Sequence, residues 1–140
     1  MFNATQQETV AAGEVKTVSK GKLVAPNINP CVVVALRYKG GSYALLHIDE
    51  GKQNKVALGH LFLKHVLPEV TEVYMFGRLA GLLKVIPWFY KRDPKGNAPL
   101  YTFRLDDKTE GAVQITEKTV QHYSQHGLTD KFEKHKTITY

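Results

Sequence analysis

One cysteine and one histidine set the chemistry to look for first. Cys31 is the only cysteine of the 140-residue chain, and His47 follows sixteen residues later. A thiolate is the reactive form of cysteine, and a neighbouring imidazole is the smallest addition that produces one near neutral pH. Three more polar residues lie close by in the sequence. Asn27 and Asn29 precede the cysteine, and Asp49 follows the histidine by two positions. Each is a candidate for orienting the imidazole, and an asparagine amide can also donate to an oxyanion.

These residues can work together only if the intervening chain brings them to one face. The stretch from 27 to 49 reads NINPCVVVALRYKGGSYALLHID. Residues 31–38 are apolar and rich in β-branched types, Lys39-Gly40-Gly41 is a turn signal, and residues 42–48 are apolar again, which predicts a β-hairpin. A three-residue loop at 39–41, with Gly41 in the left-handed region, is a common hairpin connection. It pairs Tyr38 with Ser42 and Val33 with His47. Cys31 then falls on the same face as His47, as a diagonal neighbour roughly 7–8 Å away at the backbone. A two-residue loop would separate them, because strand side chains alternate with a period of two. On this register Val32, Val34, Leu36, Leu46 and Ile48 make a core face. Cys31, His47 and Asp49 gather at the end of the other.

The flanking chain supplies the support. Residues 1–12 are polar and unpatterned and read as a loose arm, with 13–140 as a single domain. Residues 13–24 alternate and predict one or two short strands. Pro26 and Pro30 make the approach to Cys31 a stiff, non-helical loop. Asn54 is a plausible cap for a helix at about 55–67, and residues 70–76, apolar on both faces, predict a central strand. A short helix at 79–86 is expected to stop before Pro87, followed by a loop over 91–99. A second hairpin is expected from 100–105 and 112–115, and Thr116 is expected to cap a helix running to about His126. The fold class that results is α+β, or mixed α/β: one sheet of about six strands built on hairpins, with two or three packed helices.

At this point the residues resemble a known group. A cysteine at the head of a VVVAL-type strand, a glycine turn and a strand ending in LLHID are similar to the cysteine deamidase superfamily. That superfamily includes the CheD-type chemoreceptor glutamine deamidases, the N-terminal asparagine amidohydrolases and the glutamine-deamidating toxins of the cytotoxic necrotizing factor type. The asparagine amidohydrolase pattern is a Thr-Cys strand, a Gly turn and a strand ending in His-x-Asp; the corresponding positions here are Pro30-Cys31, with proline in place of threonine, Lys39-Gly40-Gly41 and His47-Ile48-Asp49, and the EVYMFG strand at 72–77 resembles the strand that follows in that family. The similarity covers about residues 25–77. It implies a Cys31 nucleophile and a His47 base, an activity that converts a protein glutamine or asparagine side chain to its acid through a thioester, and no cofactor. The chain departs from the CheD pattern at Ala25, where a threonine is expected, and at Asn29-Pro30, where a glycine-serine step is expected. Either one of Asn27, Asn29 and Asp49 supplies the orienting group, or the site is altered relative to that family.

Other readings are weaker. His122 and His126 are four apart on the helix expected there, with His135 beyond, a spacing that can bind zinc, but no glutamate lies between them in the HExxH pattern. No metal is expected. The net charge of +6, from 19 basic and 13 acidic residues, suits a protein substrate with an acidic surface. The basic residues are scattered apart from Lys91, Arg92 and Lys95, so nucleic acid is not expected. No apolar run reaches transmembrane length, and no membrane partner is expected. The N-terminus lacks the features of a Sec signal, so the expected site of action is the cytoplasm, or a host cytoplasm reached by a route without that signal. Two alternatives to the deamidase remain: a non-enzymatic basic binding module for protein or nucleic acid, and a cysteine protease or transglutaminase-like enzyme.

Overall fold

A computed structural model of the chain describes residues 7–26, 28, 31–48, 70–92, 98–105, 111–125 and 132–137. Along the chain these form β1 (Gln7–Thr9), β2 (Val15–Val18), β3 (Lys22–Pro26), β4 (Val32–Tyr38), β5 (Tyr43–Ile48), β6 (Val70–Gly77), α1 (Leu79–Arg92), β7 (Leu100–Arg104), β8 (Gly111–Ile115), β9 (Val120–Gln125) and β10 (Phe132–Thr137). The strands make two five-stranded sheets, ordered β2-β5-β4-β6-β7 and β1-β3-β8-β9-β10. Both are mixed, since β6 and β7 run parallel in the first and β1 and β3 run parallel in the second.

The central hairpin has the expected register. Arg37 pairs with Tyr43 and Val33 with His47. The turn is closed by the Gly41 N–H donating to the Tyr38 carbonyl at 3.0 Å and the Tyr38 N–H donating to the Ser42 carbonyl at 2.9 Å. Gly41 has φ of 97°, a conformation that costs a residue with a Cβ. An odd-numbered loop is what keeps the register in phase for residues 31 and 47.

Both faces of the hairpin are covered. Val32, Val34, Leu36, Ala44, Leu46 and Ile48 share a core with Leu82 and Val85 of α1. Val33, Ala35, Tyr43, Leu45 and Phe76 share a second core with Leu23, Ala25, Val113 and Ile115 of the other sheet. The order of layers is helix, sheet, sheet. Each large apolar side chain shut between the two sheets contributes on the order of 1.5–3 kcal/mol by leaving water. The face that carries His47 is thus an interior one.

This architecture corrects the expectation of a single six-stranded α+β sheet with two or three helices. The protein is mostly β, a two-sheet sandwich with one helix among the described residues. Three local signals were shared by competing structures. Thr116 does use its hydroxyl as a cap: Oγ1 accepts from the backbone N–H of Lys118 at 3.2 Å and of Thr119 at 3.1 Å. These bonds close a turn instead of opening a helix, and β9 then pairs antiparallel with both β8 and β10. The strands at 100–104 and 111–115 exist but do not pair with each other. β7 lies beside β6 in one sheet, and β8 lies between β3 and β9 in the other. The helix at 79–86 runs on through Pro87 to Arg92. The missing Pro87 N–H strands the Leu83 carbonyl, and Leu83 is solvent-exposed, so water can take that acceptor.

Residues 1–12, expected as a loose arm, are described from Gln7 onward. Gln7–Thr9 pair in parallel with β3, and Val10 is fully buried. The helix expected at 55–67 lies outside the described residues. No helix among the described residues is long and apolar enough to cross a membrane.

Candidate functional site

His47 is 3 % exposed and sits on the inter-sheet face of β5. Its backbone is held by the chain that precedes β2. The His47 N–H donates to the Glu14 carbonyl at 3.0 Å, and the Gly13 N–H donates to the His47 carbonyl at 2.7 Å. Its ring is held by the same segment, with Nδ1 at 2.8 Å from the Val10 carbonyl oxygen. That segment is itself fixed at both ends. Val10 donates its N–H to the Val24 carbonyl of β3 at 2.7 Å. Glu14 Oε1 accepts from the Ala11 N–H at 2.8 Å, and the Glu14 N–H donates to the Ala11 carbonyl at 2.9 Å. The link from β1 to β2 is therefore a clamp on the histidine that also joins one sheet to the other.

The clamp determines the chemistry of the ring. A carbonyl oxygen only accepts, so Nδ1 carries a proton and a neutral His47 keeps its lone pair on Nε2. Nε2 is buried and has no hydrogen-bond partner among the described residues. Leaving a buried acceptor unmatched costs roughly 1–3 kcal/mol, and such groups in a native fold call for a reason. A base waiting for a proton is one such reason.

Cys31 lies one residue before β4 and is 8 % exposed. The register places it on the diagonal from His47, since Val33 is directly opposite the histidine. Two contacts fix the approach to it. Ile28 is fully buried and donates its N–H to the Gly111 carbonyl at 3.4 Å. Gly77, at the end of β6, packs so closely that a Cβ there would lie 3.0 Å from Val32 Cγ2 and 3.6 Å from the Cys31 carbonyl oxygen. Asn27, Asn29 and Asp49 lie outside the described residues.

The second sheet contributes another buried histidine. His122 is in β9, opposite Val113, and not on a helix, so the helical four-residue spacing read for a zinc site is not formed; His126 lies outside the described residues. The His122 ring packs against Phe103 at 5.3 Å and Phe76 at 6.3 Å between centroids. The opposite end of the sandwich is closed by polar side chains. Arg37 donates from Nη1 to the Glu117 carbonyl at 3.2 Å, and its Nε lies 3.8 Å from Glu72. Tyr74 donates to Glu72 at 2.7 Å. Burial first, then that hydrogen bond, hold the Tyr74 phenol well above the ordinary tyrosine range, so it stays a donor through neutral pH.

The Val10 carbonyl is the group that reading residue types missed. A main-chain oxygen leaves no signature in composition, and residues 1–12 carry no periodic pattern to announce that one of them is buried. Comparison with models of known protein families and with curated proteins finds no match to this chain.

Proposed function

We propose that the protein is a cysteine amidohydrolase that deamidates a glutamine or asparagine side chain of a protein substrate, with Cys31 as nucleophile and His47 as base. The observation that carries this reading is the state of His47: Nδ1 is occupied by the Val10 carbonyl, and Nε2 is buried without a partner on the face where the register brings Cys31. No hydrogen bond joins Nε2 to the Cys31 thiol, so on this reading the thiol turns to Nε2 when substrate binds, and a base oriented toward a nucleophile is the general arrangement for covalent catalysis. The orienting third member is then the Val10 main chain, and none of Asn27, Asn29 or Asp49 is needed at Nδ1.

The steps follow from those atoms. His47 Nε2 takes the proton of the Cys31 thiol, and the thiolate adds to the carboxamide carbon. The oxyanion is stabilised by the backbone N–H of Cys31, with Asn29 as the candidate second donor. His47 returns its proton to the departing nitrogen, which leaves as ammonia. Water, deprotonated by the same Nε2, then cleaves the thioester to give the acid and restore the thiol. The recessed position of Cys31 favours this chemistry over peptide cleavage. A carboxamide at the tip of a flexible side chain reaches a nearly buried sulfur, whereas a main-chain carbonyl needs an open cleft.

The test is mass spectrometry of candidate partner proteins for the amide-to-acid mass shift, with Cys31→Ser as control. Conversion that needs Cys31 and releases ammonia without peptide cleavage or amine incorporation supports the deamidase. Cleavage or amine incorporation would point to the protease or transglutaminase alternative. No conversion, together with binding that weakens steeply with salt, would favour the basic binding module.

A further inference from the structure

α1 turns two different faces to its surroundings. Leu82 and Val85 are buried against the sheet. Leu79 is 43 % exposed and Leu83 is 61 % exposed, and they are the two exposed large hydrophobics among the described residues. Residues four apart stack on one side of a helix, so these leucines make a single outward ridge, with Ala80, Lys84 and Pro87 exposed around it. The charge of the segment is one-sided as well. From 78 to 92 the sequence contains Arg78, Lys84, Lys91 and Arg92 and no aspartate or glutamate, and it includes Trp88 and Tyr90.

We propose that the outward face of α1 docks the protein on the surface of a bilayer that carries anionic phospholipids. The helix lies in the interface, Leu79 and Leu83 enter the boundary of the acyl chains, and the positive charge of the segment favours an anionic headgroup layer. Cationic amphipathic helices with leucine and aromatic residues associate with membranes in this way without spanning them. The expectation of no membrane partner rested on the absence of a spanning segment, and surface docking needs none.

Two features favour lipid over a protein surface. The exposed apolar groups form a convex ridge of two side chains, far short of the roughly 800 Å² per partner that a stable protein interface buries. A bilayer needs no complementary groove to receive such a ridge. Secondly, the absence of acidic residues over the whole segment matches a uniformly negative surface. The start of α1 also adjoins the candidate site, because Gly77, two residues before Leu79, packs on Cys31 and Val32. The docking itself does not depend on the chemistry of Cys31.

The experiment is sedimentation of the full chain with phosphatidylcholine vesicles, with and without phosphatidylserine. Wild type sediments with the phosphatidylserine vesicles, and binding falls as salt rises. Lys84→Ala weakens it roughly five-fold, the value of about one basic charge near an anionic surface. Leu79→Ser/Leu83→Ser weakens it roughly ten-fold or more, with circular dichroism unchanged. Sedimentation no greater with phosphatidylserine than without it overturns the proposal, as does binding that survives the double leucine change. A concentration-dependent dimer in ultracentrifugation that the same double change abolishes would assign the ridge to a second copy of the chain instead.

Discussion

The sandwich encloses two histidines between its sheets, and they are in different situations. His47 and His122 are both nearly inaccessible, and both stand on the same inter-sheet core. His122 belongs to a cluster of three rings with Phe103 and Phe76, which also touch each other. His47 is gripped by main-chain groups at its N–H, its carbonyl and its Nδ1, with Nε2 left over. Burial by itself therefore says little about whether a histidine is a base. What separates the two is an oriented ring nitrogen with a committed tautomer, on the diagonal from the only thiol. His122 serves as an aromatic-sized core residue.

The sharpest way to break that comparison is to remove each ring in turn. His47→Ala should lower ammonia release by on the order of a thousand-fold, as loss of a general base does in enzymes of this type. His122→Phe should leave the rate within a few-fold. Equal losses in the two variants would end the distinction. Nitrogen NMR of the neutral wild-type protein should find the His47 proton on Nδ1, and a proton on Nε2 would contradict the clamp.

Stability should respond in the opposite sense. His122→Ala should cost about 2–4 kcal/mol in urea denaturation, because it empties a ring-sized volume beside Phe76 and Phe103, whose own rings touch at 5.9 Å between centroids. His122→Phe should cost much less. If His122→Ala is nearly neutral, the ring is not a packing element.

Smaller effects are expected from the two glycines at opposite ends of β4. Gly77→Ala forces Val32 and the Cys31 backbone to give way at a 3.0 Å contact, for roughly 1–3 kcal/mol of overpacking. It should also change the rate at which iodoacetamide alkylates Cys31, and an unchanged rate would detach Gly77 from the site. Gly41→Ala is strained at φ of 97° and should cost about 1–2 kcal/mol. Nothing lies within 4 Å of its added Cβ, and the turn is remote from Cys31, so turnover should persist in the folded fraction.

Near the central hairpin the determinants of structure are local. Loop length, a glycine able to take positive φ and alternation along two adjacent strands are enough to place Val33 opposite His47. In β7, β8 and β9 the determinants are long-range instead. Alternation identifies a strand but says nothing about its neighbour, so β7 and β8 were paired with each other when they belong to different sheets. A threonine hydroxyl that accepts from the next turn of backbone fits a helix cap and a tight turn equally well, and only pairing of β9 with its two neighbours decides between them.

By itself, then, the sequence determined the nucleophile and base candidates, the hairpin register around them, and the existence of a strand, a helix and a strand at β6, α1 and β7, because each depends on residues near one another in the chain. Tertiary structure alone decided three further things. It stacked a second sheet on the face that carries His47, turning a surface into an interior. It carried the Val10 carbonyl to Nδ1 across 37 positions of chain, a contact no side-chain pattern encodes. It also left Leu79 and Leu83 outside while Leu82 and Val85 went in. The physical reason is common to all three. Apolar pattern reports how much surface a segment will bury, whereas the element that buries it is selected by long-range packing and by main-chain hydrogen bonds that every residue can make.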